Sequence, residues 1–208
     1  MRVSVIGAGS WGTAVADLVA VKQPVTLWAR RSGLAAAINA DHENPDYLPD
    51  NTLSERILAT SDLKEALAGA EAIVMGVPSH GFRAVLESVR DEIDSATPIL
   101  SLAKGVERDT LMRMTEVTAD VLPEHRRDRI GVLTGPNLAR EIVAGQPAAT
   151  VIAMEDEEAA QALQETFVNP TFRVYTNTDV IGSESVASAS ASDSPHHASR
   201  MTFTLSVA

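Results

Sequence analysis

The chain alternates short apolar runs with longer amphipathic stretches through its first 176 residues. Val3–Ile6, Val25–Trp28, Ala72–Val77, Pro98–Ala103, Ile130–Thr134, Ala148–Ala153 and Phe172–Thr176 read as strands. Most are unbroken rather than alternating, as expected for strands covered on both faces of a parallel sheet. Helices are predicted between them at Trp11–Val21, Leu34–Ala40, Leu63–Leu67, Phe82–Arg90, Leu111–Val121, Leu138–Ala144 and Glu157–Phe167. Asp62, with Glu65 three residues on, reads as an N-cap. The order predicts an α/β fold: a doubly wound, Rossmann-like, mostly parallel sheet. Asp41–Leu53, interrupted by Pro45 and Pro49, reads as a loop or small excursion. After Gly182 the pattern fades. The 26 residues Ser183–Ala208 hold eight Ser and five Ala, so residues 1–182 read as one domain and 183–208 as a tail expected to be disordered.

Composition narrows the function. With 45% hydrophobic residues in 208, the chain can bury a sizeable core. A net charge of −11 argues against nucleic-acid or anionic-membrane partners, so an anionic substrate needs a local basic pocket. No cysteine is present, which excludes disulfides and thiolate chemistry. The scattered His42, His80 and His125 show no metal-ligand spacing, and His196-His197 reads as solvated. The longest uncharged run, Val3–Ala16, is too short to span a bilayer. Its three glycines argue against a secretory signal helix, so a cytoplasmic location is expected.

Candidate chemistry begins at Gly7-Ala8-Gly9-Ser10-Trp11-Gly12, a G-x-G-x-x-G pattern that follows a predicted strand and opens a predicted helix. Gly7 permits the tight turn, Gly9 lets a pyrophosphate approach the backbone, and Gly12 lets the helix pack closely. An empty tight turn is the alternative. At the end of the second strand, where sites for NAD usually carry an acid, stands Ala29-Arg30-Arg31-Ser32. Two guanidiniums suit a 2′-phosphate, which favours NADP(H) over NAD(H), although a solvated arginine pair would look the same. Lys104 follows the fourth predicted strand and Gly135-Pro136-Asn137 the fifth. Both fall on the edge of the glycine loop, where open α/β sheets bind ligands; a surface cation and a plain turn are the alternatives. No G-x-S-x-G supports a hydrolase.

These residues resemble a known family. Ile6-Gly-Ala-Gly-Ser-Trp-Gly-Thr13, Val25-Thr-Leu-Trp-Ala-Arg30, Val77-Pro-Ser79, Ala103-Lys-Gly105, Thr134-Gly-Pro-Asn137 and Phe172-Arg-Val-Tyr175 look like bacterial NAD(P)-dependent glycerol-3-phosphate dehydrogenases, over residues 1 to about 182. The resemblance implies a cytoplasmic oxidoreductase that interconverts sn-glycerol 3-phosphate and dihydroxyacetone phosphate in phospholipid synthesis, with a homodimer among the full-length forms. It implies that Ser10, Trp11, Arg30 and Arg31 contact the dinucleotide, and that Lys104 touches cofactor and substrate. It further implies that Gly135 and Asn137 bind substrate and Ala139 lines the cofactor site. Position 137 is commonly Ser or Thr in relatives; Asn keeps both donor and acceptor.

The departure lies beyond Gly182. Family members continue there into a helical domain whose Lys-Asn pair supplies the general acid/base lysine. This sequence has three lysines, Lys22, Lys64 and Lys104, none in that position, so no catalytic residue is assigned. A truncated or frame-shifted product, inactive alone, is the expectation. Two other readings stand beside it: a non-catalytic NADP(H)-binding module, and a related two-domain dehydrogenase for another small acid or phosphate.

Overall fold

A computed structural model describes residues 1–185; the rest of the expected tail, 186–208, lies outside the described residues. The strands are β1 (Val3–Ile6), β2 (Val25–Trp28), β3 (Glu43–Asn44), β4 (Leu48–Thr52), β5 (Ile57–Thr60), β6 (Ala72–Met75), β7 (Ile99–Ser101), β8 (Ile130–Thr134), β9 (Ala148–Ala153) and β10 (Phe172–Asn177). Eight of them form one sheet in the order β10-β9-β8-β7-β6-β1-β2-β5. From β5 to β8 all neighbours are parallel; β9 runs antiparallel to β8, and β10 parallel to β9. β1 lies between β2 and β6, so the chain winds outward in both directions from it. That is the switch point at which such sheets bind ligands.

The helices are α1 (Ser10–Ala20), α2 (Ser32–Asp41), α3 (Leu63–Leu67), α4 (Ser79–Glu87), α5 (Met114–Val121), α6 (Ala139–Val143) and α7 (Glu157–Phe167). β1 and β6 are buried along their whole length, which explains their unbroken apolar sequences. One apolar cluster joins α1, α2 and α7 to the sheet; another packs Phe82, Leu86, Met114 and Val117 of α4 and α5 against Ile73, Met75 and Ile99. Fully burying each such side chain contributes about 1.5–3 kcal/mol.

Asp62 caps α3: its Oδ1 accepts from Lys64 N–H at 2.8 Å and from Glu65 N–H at 3.2 Å. The reciprocal half of the cap is relayed, because Asp62 N–H donates to Thr60 Oγ1 and that hydroxyl donates to Glu65.

The structure departs from the sequence reading in five places. Asp41–Leu53 contains the antiparallel hairpin β3–β4. β5, unforeseen, forms the sheet edge beside β2. α4 starts at Ser79, directly after Pro78, and α5 only at Met114. Residues 104–113 instead form a loop closed by an antiparallel bridge between Val106 and Arg113, with Leu111 at φ +59°. Finally, 180–185 is helical, so residues 183–185, expected in the tail, belong to the folded unit.

Candidate functional site

The glycine loop joins β1 to α1 and is hooked to both neighbouring strands. Gly7 N–H donates to Trp28 O at 3.1 Å, and Gly76 N–H donates to Ile6 O at 2.8 Å. Gly7 adopts φ +122°, which only glycine adopts freely. A Cβ there would lie 2.8 Å from the Gly76 carbonyl, and a Cβ on Gly12 would overlap the Gly7 carbonyl oxygen. Gly9 differs: a Cβ on it would meet nothing within 4 Å. Gly9 is also the N-cap of α1, with no side-chain cap, so the first-turn N–H groups keep no side-chain acceptor. Two glycines thus permit close packing, and the third leaves room beside a helix N-terminus. That arrangement fits a dinucleotide pyrophosphate.

Beside this loop lies a cleft of about 400 Å³. Ser10 and Trp11 reach it from the start of α1, Lys104 from beyond β7, Gly135 and Asn137 from beyond β8, and Ala139 from α6. Six residues singled out from sequence therefore meet in one cavity at the carboxyl ends of parallel strands. Lys104 is exposed and forms no ion pair among the described residues. Gly135 sits tightly: a Cβ would lie 2.8 Å from Ala149 O and 2.7 Å from Asn137 Nδ2. That Nδ2 is buried and has no hydrogen-bond partner among the described residues. Leaving such a donor unpaired costs about 1–3 kcal/mol, which an acceptor oxygen of a ligand would recover.

Arg30 and Arg31 do not line this cleft. They open a second cavity of about 560 Å³, with Ser32, Gly33 and Asp46, next to the end of β2. Arg31 is ion-paired with Asp46 of the β3–β4 turn.

Three contributors escaped the sequence reading. Asn44, fully buried, donates through Nδ2 to Ala8 O at 3.0 Å and Thr13 Oγ1 at 2.8 Å, bracing the glycine loop. Asp46 reaches the arginine cavity. Glu184, 2% exposed, lines the cleft and accepts from Thr115 N–H at 3.1 Å and from the Thr115 hydroxyl, with Arg113 Nη1 3.3 Å away. Each acts across a long stretch of sequence, where local pattern carries no signal.

The loop bearing Lys104 is held from α4. Arg83 forms a bidentate pair with Glu107, at 2.8 and 3.0 Å, and reaches Asp120 at 2.6 Å. This guanidinium, helped by the Thr110 hydroxyl, lowers the Glu107 carboxyl to about 2. On α1, burial raises the Asp17 carboxyl, opposed by the hydrogen bond from Ser54 N–H. No helix among the described residues is long and apolar enough to cross a membrane.

The chain is similar to known proteins. Glycerol-3-phosphate dehydrogenase [NAD(P)+] 2 of Sphingopyxis alaskensis is 53% identical over 184 residues, covering 88% of this chain and 54% of that protein. Glycerol-3-phosphate dehydrogenase [NAD(P)+] of Thermobifida fusca is 50% identical over 188 residues, covering 88% and 55%. The crystal structure of glycerol-3-phosphate dehydrogenase from Coxiella burnetii superposes with a TM-score of 0.83 at 35% identity, covering 89% of this chain and 56% of that one. The chain spans about half the length of the curated relatives it matches. The family model for the NAD-dependent glycerol-3-phosphate dehydrogenase N-terminus matches residues 2–160, and the chain belongs to that family.

Proposed function

We propose that this chain is the dinucleotide-binding half of a glycerol-3-phosphate dehydrogenase, binding NADP(H) in preference to NAD(H). The observation that carries this reading is the convergence of Ser10, Trp11, Lys104, Gly135, Asn137 and Ala139 on one cleft beside the uncapped start of α1. Gly7, Gly9 and Gly12 shape the loop over which the pyrophosphate lies, and the first-turn N–H groups of α1 donate to it. Arg30 and Arg31 receive the adenosine end and its 2′-phosphate. When bound, the nicotinamide supplies or accepts the hydride that interconverts dihydroxyacetone phosphate and sn-glycerol 3-phosphate.

The remaining work falls to this chain's own side chains. Lys104 brings a cation to an otherwise acidic protein and orients the substrate's phosphate or polarises its carbonyl. Asn137 donates to a substrate oxygen through its unpaired Nδ2. Ala139, with only a methyl group, leaves room for the cofactor. Reduction also needs a proton at the carbonyl oxygen, and no lysine but Lys104 is near. Lys22 Nζ donates to Glu165 O and Lys64 pairs with Glu92, both away from the cleft. General acid/base catalysis contributes about 10²–10⁴-fold, so turnover by this chain alone falls short by that order.

Dihydroxyacetone phosphate-dependent oxidation of NADPH by the purified chain tests the reading. Cofactor binding with turnover at least about 100-fold below that of a full-length relative is expected; near-normal turnover would contradict it. The same lysine inventory favours a second reading, a non-catalytic NADP(H)-binding module, if cofactor binds and glycerol 3-phosphate does not. A related dehydrogenase for another substrate would show instead as turnover with a different small acid or phosphate.

A further inference from the structure

We propose that Asp46 sets the cofactor preference of this chain by competing with the 2′-phosphate for Arg31, which keeps the site open to both NADP(H) and NAD(H). The proposal rests on the assignment of Arg30 and Arg31 to the adenosine end. The cavity at the end of β2 brings two guanidiniums together with one carboxylate. Asp46 pairs with Arg31 Nη2 although the two side chains are 42% and 57% exposed.

Its position is fixed by the residues around it. Asn44 is bonded to Ala8 and Thr13 of the glycine loop and helix α1, and its Oδ1 accepts from Tyr47 N–H at 3.2 Å. Tyr47 O in turn accepts from Ser10 Oγ at 3.1 Å. Asp46 lies between two residues tied to the glycine loop, so its carboxylate is delivered to the loop's flank. Sites that favour NAD carry an acid at the end of the second strand. Here Ala29-Arg30-Arg31 stands in that place, and the acid arrives from the hairpin.

The consequences for the two cofactors differ in sign. A ribose 2′-hydroxyl can donate to a carboxylate, whereas a 2′-phosphate is repelled by it and must share Arg31. A carboxylate and a phosphate about 5 Å apart in water repel by an amount equivalent to roughly a tenfold loss of affinity. Salt attenuates this, because the Debye length shrinks from about 10 Å at 0.1 M to about 3 Å at 1 M.

The test is calorimetric titration of the 208-residue chain with NADPH and with NADH, for the wild type, D46N, D46E and R31A. D46N is expected to tighten NADPH by about tenfold at low salt while leaving NADH unchanged or weaker, with a smaller effect near 1 M salt. D46E should behave as the wild type. If D46N moves both cofactors by one factor, or neither, while R31A lowers the NADPH-to-NADH preference, the role of Asp46 falls and the arginine assignment stands. If R31A leaves that preference unchanged while both cofactors bind, the arginine assignment itself fails, and the proposal with it. Binding of neither cofactor by the wild type overturns both.

Discussion

The Cβ that any other residue would bring to position 12 falls on the carbonyl oxygen of Gly7. Helix α1 can lie this close to the end of β1 only because Gly12 has no side chain. Gly12→Ala therefore forces the helix off the sheet, with the overpacking cost of about 1–3 kcal/mol. Gly9→Ala meets open space at φ −75°, which alanine tolerates. Thermal melts should show G12A destabilised and G9A close to the wild type, while both lose NADPH affinity. G9A binding as tightly as the wild type would exclude the pyrophosphate from that position.

Asn44 connects the β3–β4 hairpin to the glycine loop from a fully buried position. Asn44→Ala leaves Ala8 O and Thr13 Oγ1 without this donor, at about 1–3 kcal/mol. Chemical denaturation should show that loss together with weaker cofactor binding, because Ala8 lies within the loop. Unchanged stability would mean that water replaces the amide.

Arg83 holds the loop that carries Lys104, and it does so through an ionised Glu107. The folded carboxyl sits at about 2 against an ordinary value of 4.5, so its stabilisation is complete above pH 4.5 and is lost as pH falls toward 2. Glu116, lowered by the backbone N–H and then the side chain of Arg113, acts in the same direction. Asp17, raised by burial, acts in the opposite one. Urea unfolding at pH 5 and pH 3 should show the wild type losing stability on acidification and Arg83→Ala losing less. An equal loss in both would remove the Arg83–Glu107 pair from the account.

Glu184 ties the last described helical segment to α5. Glu184→Ala leaves the Thr115 N–H and its hydroxyl without this acceptor and Arg113 with Glu116 as its remaining ion-pair partner, and orphaning buried donors of this kind costs about 1–3 kcal/mol. Glu184→Gln keeps an acceptor oxygen and should cost less. Equal stability of both variants and the wild type, by denaturant titration, would show that the contact contributes nothing.

What the sequence made legible follows from range. The strands β1, β2, β6 and β8 are short apolar runs bounded by Gly, Pro or charge, and the glycine loop is contained in six consecutive residues. Lys104 and Gly135 could be placed on the same edge because parallel strands present their carboxyl ends together. β5 was not legible: Ile-Leu-Ala-Thr is four residues on a sheet edge, and Leu58 faces outward. The hairpin was hidden by Pro45 and Pro49, and its placement depends on Asn44 reaching more than thirty residues back to Ala8 and Thr13. The antiparallel pairing of β9 with β8 left no trace either, since an apolar run reads the same in either direction. Asp46 and Glu184 act through contacts that only the folded topology creates.

This chain is proposed to form a working dinucleotide site by itself. Calorimetric titration of the purified chain with NADPH, then NADH, tests it most directly. Saturable one-to-one binding of NADPH, abolished by G12A and weakened by Arg30→Ala, is the predicted result. No heat with either cofactor from a chain that melts cooperatively would contradict it.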